Sequence, residues 1–152
     1  MITINKSETA DTRTCDFSKV SKMQLKMSSH QHIRDVQMAL EWFRRQLYIA
    51  GENHDSDKIT NIDYFHEDFL TGFKQTGWWD NHRKITRHHL LQEDGVPKDV
   101  NLIDVLEMIA DCVMAGMARS GSVYPLEISP DVLMKAFNNT SDLLKSQVKV
   151  KE

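Results

Sequence analysis

The chain has 152 residues, 40% of them hydrophobic and 27% charged, with a formal net charge of -3. That length is enough for one domain with a real hydrophobic core, and the slight acidity excludes a broad basic field for nucleic acid. No apolar run approaches the roughly 20 residues of a membrane span. The first residues lack the apolar core of a signal peptide, and Cys15 and Cys112 show no CxxC spacing. A disulfide framework and a thiolate zinc site are therefore not expected, and a reducing, cytoplasmic setting is.

In chain order, residues 1–27 read as a polar arm with a short strand at Ile2–Ile4 and a cover segment from 17 onward. A helical domain is expected over 28–146, and a frayed tail over 147–152. The first long helix starts with Ser28 or Ser29 as N-cap and stops at Gly51. Ile33, Val36, Leu40, Phe43 and Leu47 fall on one stripe at about 100° per residue, with His32 inside it and His30 opposite. Residues 51–61 read as a helix–helix loop. Asn61 then caps a helix that buries Tyr64, Phe65, Phe69, Leu70 and Phe73, and that leaves His66 on the surface.

After Gly77, a further helix carries His82, His88 and His89. His82 and His89 share a face after two turns, and His88 is turned away by about 100°. Trp78 and Trp79 read as core packing or a lid. Residues 92–100 form a loop. A helix over Leu102–Arg119, capped by Asn101 or Asp99, pairs an apolar face with an acidic stripe of Asp104, Glu107 and Asp111. Ser129-Pro130 opens the last helix, with Val132, Leu133, Ala136, Phe137, Leu143 and Leu144 inward. With no repeat and no convincing hairpin, the fold class is all-α, a bundle of about five to six helices.

The chemistry centres on His54-Asp55-Ser56-Asp57-Lys58, where a histidine directly precedes an aspartate. Adjacent side chains of this kind can both reach one cation if the backbone bends between strict helical positions. His32, His54, Asp55 and Asp111 are the candidate metal ligands. His82, His88 and His89 are candidates for a second ion or for contacts to a phosphate. Neutral imidazole with carboxylate suits a divalent transition ion, and Mg or Mn less selectively; Fe, Co, Ni and Zn complete the range. Lys58 offers a fixed positive charge for a phosphate oxygen. Glu107, one turn before Asp111, can bond a ligand or a water. No P-loop, GxGxxG or GxSxG motif is present.

This order of residues resembles the HD superfamily of metal-dependent phosphohydrolases, whose signature is H…HD…D. His32 takes the place of the first ligand, His54-Asp55 the doublet and Asp111 the closing aspartate. The similarity extends to short bacterial and phage HD-like proteins with an HDxSK-like doublet, an H…HH segment and an EMxxD helix. Here these read His54 to Lys58, His82…His88-His89 and Glu107 to Asp111.

Asp57 stands where that pattern has serine, and Lys58 where nucleotidases of the superfamily often have glutamate. The resemblance implies a metal-bearing helical domain that hydrolyses a phosphate ester, most naturally a nucleotide, with Asp55, Lys58 and Glu107 as the catalytic candidates. It implies a small phosphorylated partner, no membrane and no extended nucleic-acid surface, and it is compatible with a homo-oligomer. A non-catalytic, metal-stapled module that binds a nucleotide or a partner protein is the alternative.

Overall fold

A computed structural model describes residues 1–7, 9 and 15–151; part of the expected polar arm, residues 8 and 10–14, lies outside them. The all-α class holds. The described residues form six α-helices and one pair of short strands. Among the described residues, no helix is long and apolar enough to cross a membrane. The chain divides into two compact units, Met1–Arg45 with Asp142–Glu152, and Gln46–Ser141.

In the first unit, β1 (Ile2–Asn5) pairs in parallel with β2 (Val148–Lys151), Ile2 opposite Val148 and Asn5 opposite Lys151. The expected strand is present, and the tail expected to fray is its partner. Its Val-Lys alternation suits a half-covered pleat, but parallel strands so far apart leave no hairpin signal in the sequence.

Helix α1 (Lys22–Asn53) begins earlier than its serines suggest. The start is a reciprocal capping box: Ser21 N donates to Gln24 Oε1 at 2.9 Å, and Gln24 N to Ser21 Oγ at 3.3 Å. Ser28 and Ser29 lie inside the helix and bond the carbonyls of Gln24 and Leu25. His32 is exposed rather than inward. So are its stripe neighbours Ile33 and Leu40, at 52% and 60%. Periodicity defines a face of a helix, but it does not say what covers that face.

The second unit begins in the last turns of α1, which run through Gly51 to Asn53. The stop comes from Asp55, whose φ of 51° places it in the left-handed region. Aspartate tolerates this conformation better than most residues. The expected loop then holds α2 (Ser56–Thr60), followed by α3 (Ile62–Leu70) and α4 (Trp78–Ile85). In α3 the buried residue is Asp68, while Tyr64, Phe69 and Leu70 are exposed.

Helix α4 ends at Ile85 because Thr86 is extended, so His88 and His89 sit on a non-helical segment. The helical angle that turned His88 away does not apply, and His88 is buried. Helix α5 (Leu102–Ser120) starts at Asn101, which with Asp104 forms a capping box. Helix α6 (Pro130–Ser146) starts where Ser129-Pro130 predicts. Of its expected inward set, Ala136 is buried, whereas Leu133 and Phe137 are exposed. The core joins Leu90, Val100, Val105, Met108 and Ala136. It fixes the segment before α5 against α6: Thr140 Oγ1 accepts from Leu102 N at 2.7 Å, and Asn139 Nδ2 donates to the Val100 carbonyl at 2.8 Å.

Candidate metal centre

Four stretches of the second unit converge: the kink after α1, α4, the 86–91 segment and the inner face of α5. Asp55 lies at the middle. Its Oδ1 is 3.4 Å from both His82 Nε2 and His88 Nε2, and its Oδ2 is 3.5 Å from His54 Nε2. Asp111 Oδ1 is 3.6 Å from His54 Nε2, and His89 Nε2 is 2.9 Å from His82 Nε2. Two groups that could hold a metal ion result, Asp55-His82-His88-His89 and His54-His88-Asp111, with His88 common to both.

The left-handed Asp55 is the bend that an adjacent His-Asp pair needs if both are to reach one centre. Such strain at a non-glycine residue persists where the surroundings over-determine it, and it concentrates at functional sites.

Carboxylates behind the imidazoles orient them. His54 Nδ1 donates to Glu107 Oε1 at 2.9 Å, and His82 Nδ1 to Asp57 Oδ2 at 2.8 Å. His88 Nδ1 lies 3.0 Å from the same Glu107 oxygen, off the line of a proper hydrogen bond. A proton held on Nδ1 leaves the Nε2 lone pair free for a cation, which is how metal-binding histidines are usually held. Trp78 and Trp79 stack on His82, with ring centroids 4.9 and 5.2 Å away. The tryptophans are therefore packing for an imidazole.

The contacts nearest Asp55 call for a positive charge beside it, from a protonated imidazole or a bound cation. Asp55 Oδ1 and His88 Nε2 are both buried and both without a hydrogen-bond partner. Buried polar atoms in that state are costly and need an explanation. His82 Nε2 and His89 Nε2 face each other at a distance that requires a proton or a cation between them.

The charge balance allows either source: burial works against a charged His88, but the Glu107, Asp55 and Asp111 carboxylates outweigh it and raise His88 above its ordinary value. Burial works against ionised Asp55, but the Lys58 ammonium bonded to it holds its carboxyl below the ordinary value. Burial likewise opposes ionised Glu107, but the imidazoles of His88 and His54 beside it outweigh this and hold its carboxyl below the ordinary value. Burial, then the neighbouring imidazoles of His88 and His82, push His89 down to about 4. His89 is therefore neutral near pH 7, the form of imidazole that can bind a cation. The donors are nitrogen-rich with carboxylate and no thiolate, a set suited to a divalent transition ion. These groups fit a bound metal ion.

The structure brings together His54, Asp55, Lys58, His82, His88, His89, Glu107 and Asp111. His32 belongs to the first unit, is exposed there, and is in neither ligand set. Three supports escaped the sequence reading. Asp57 holds His82. Asp68, wholly buried, accepts from Thr76 N and Trp79 N, each at 3.0 Å, and so anchors the start of α4. Arg87 bonds both oxygens of buried Asp104 at 2.7 and 2.9 Å, which ties the His88-His89 segment to α5. The Asp57 contact had a signal in the doublet's own charge cluster; the other two pair residues too distant in sequence for any spacing rule. No protein-family model, curated protein or solved structure matches the chain.

Proposed function

We propose that residues 46–141 form a metal-dependent phosphohydrolase centre acting on a phosphate ester, with a nucleotide as the expected substrate class. One observation carries the reading: Asp55 Oδ1 and His88 Nε2 are buried, unpartnered and 3.4 Å apart, among imidazoles held by carboxylates. A divalent ion bound there supplies Lewis acidity, which acidifies water and polarises a phosphoryl oxygen.

The chain's own residues do the rest. Glu107 and Asp57 fix the imidazoles. Asp55 serves as ligand or takes a proton from water. Lys58, paired with Asp55 and 5.9 Å from the Trp79 ring centroid, presents its ammonium to a phosphate oxygen. With His32 outside the site, what supports phosphate esters is the remaining resemblance to short HD-like proteins, in His54 to Lys58, His82…His88-His89 and Glu107 to Asp111.

The test is elemental analysis of untagged protein purified without chelator, followed by phosphate-release assays with nucleoside mono- and triphosphates and phosphodiesters. A stoichiometric ion and turnover are expected. His54→Ala and Asp55→Ala are each expected to lose metal and turnover while keeping helical circular dichroism. Lys58→Met is expected to keep the metal and raise KM on the order of tenfold. Full turnover in the two ligand variants would overturn the proposal.

A further inference from the structure

An apolar groove of about 580 Å³ runs between the last turns of α1 and the outer half of α5 and opens onto the metal centre. Leu47, Ala50, Leu106, Ala110 and Met114 form its walls, and His54 and Asp111 close its inner end. Those two residues also belong to one ligand set, so the groove and the metal centre are continuous. No lysine or arginine lines the groove, and its charged lining residues are Glu107 and Asp111. Such walls repel a chain of phosphates and favour an uncharged, apolar group. The cation of the site, Lys58, is instead bonded to Asp55. Met114, 69% exposed, and Leu106, 47% exposed, present this apolar surface directly beside buried polar groups.

We infer that the groove is the subsite for the uncharged organic part of the phosphate ester, while the phosphoryl group lies by Asp55 and Lys58. This rests on the phosphohydrolase reading but replaces its expected nucleotide: the preferred substrate carries one phosphoryl group on an apolar or aromatic alcohol, rather than on a ribose or in a polyphosphate. Binding energy from that remote part positions the ester for reaction.

The test uses phosphonates, which resist hydrolysis, so it does not depend on turnover. The full chain, loaded with manganese, is titrated with methylphosphonate and with benzylphosphonate. Burying the ring is expected to tighten binding on the order of tenfold or more. Ala110, exposed on α5, is replaced in Ala110→Trp to fill the groove. This variant is expected to abolish the benzyl advantage, to leave the methylphosphonate Kd unchanged, and to sediment like the parent. Met114→Glu, which adds a negative charge at the rim without bulk in the groove, is expected to weaken benzylphosphonate selectively.

Equal affinity for the two phosphonates overturns the subsite. So does a change in association state on filling the groove, which would make it a contact between copies of the chain. Failure of the phosphohydrolase reading looks different: the benzyl preference persists, and no ester releases phosphate.

Discussion

Asp55 Oδ1 and His88 Nε2 face each other across 3.4 Å, buried, with no hydrogen-bond partner for either. A carboxylate oxygen and an imidazole nitrogen so placed are satisfied together by one cation. Replacing His88 leaves Asp55 and Glu107 as buried carboxylates without their imidazole. His88→Leu is expected to remove bound metal and also to lower the Tm of the chelated protein, because only one side of a buried contact is removed. For the parent, saturating metal at about 100 times Kd is expected to add about 2.7 kcal/mol, a Tm rise of roughly 5–10 °C. Thermal melts with and without metal check both. A histidine that only fills the core would give no metal-dependent rise in the parent.

Glu107 touches no ligand atom that faces the centre; it holds two imidazoles from behind. Glu107→Gln keeps the shape and removes the charge. Metal affinity is expected to fall about 10–100-fold, the usual effect of losing a carboxylate behind a histidine ligand. Asp111→Ala removes a candidate ligand and is expected to cost more. Titration with a competing chelator ranks the two, and the reverse order would make Glu107 a ligand itself.

Asp68 ties α3 to the start of α4, which carries His82. Burial opposes its ionisation, but the hydrogen bonds from Trp79 N and Thr76 N overcome this and hold its carboxyl below the ordinary value. A folded pKa below the unfolded one contributes stability that is present above the ordinary value of about 3.9 and is lost as pH falls through the folded value. Asp68→Asn is expected to lower Tm at pH 7, and the gap to the parent is expected to narrow as pH drops below about 4. Melts from pH 7 to pH 3 measure it. A gap that stays constant with pH would mean that the carboxylate charge is not what holds α4.

Much of the second unit could be read from the sequence where the signal is local. Ser129-Pro130 marked the start of α6, and Asn101 the start of α5. The His-Asp doublet marked the centre, and the need for a bend there is met by Asp55. What failed was periodicity carried past its warrant. His88 was assigned a helical angle, but the helix ends at Ile85, and the non-helical segment brings His88 to Asp55. His32 shared an apolar stripe, yet that stripe is exposed along α1. The β1–β2 pair and the Arg87–Asp104 tie are contacts between distant residues, and the sequence pattern holds no trace of either.

Gly95 follows from the same segment. A Cβ at this position would lie 2.1 Å from the His89 carbonyl oxygen and 3.2 Å from that of Arg83. Both contacts are to backbone, so no side chain can swing aside, and the chain carrying His88 and His89 must move instead. Gly95→Ala is expected to destabilise the protein by about 1–3 kcal/mol, the usual cost of overpacking a closed site. Because the displaced backbone holds two of the imidazoles, metal affinity is expected to fall as well, with both ligand side chains intact. Chemical denaturation of the chelated protein and metal titration of the folded variant measure the two effects separately. Loss of stability with unchanged metal affinity would show that the 86–91 segment is not what sets the position of His88 and His89.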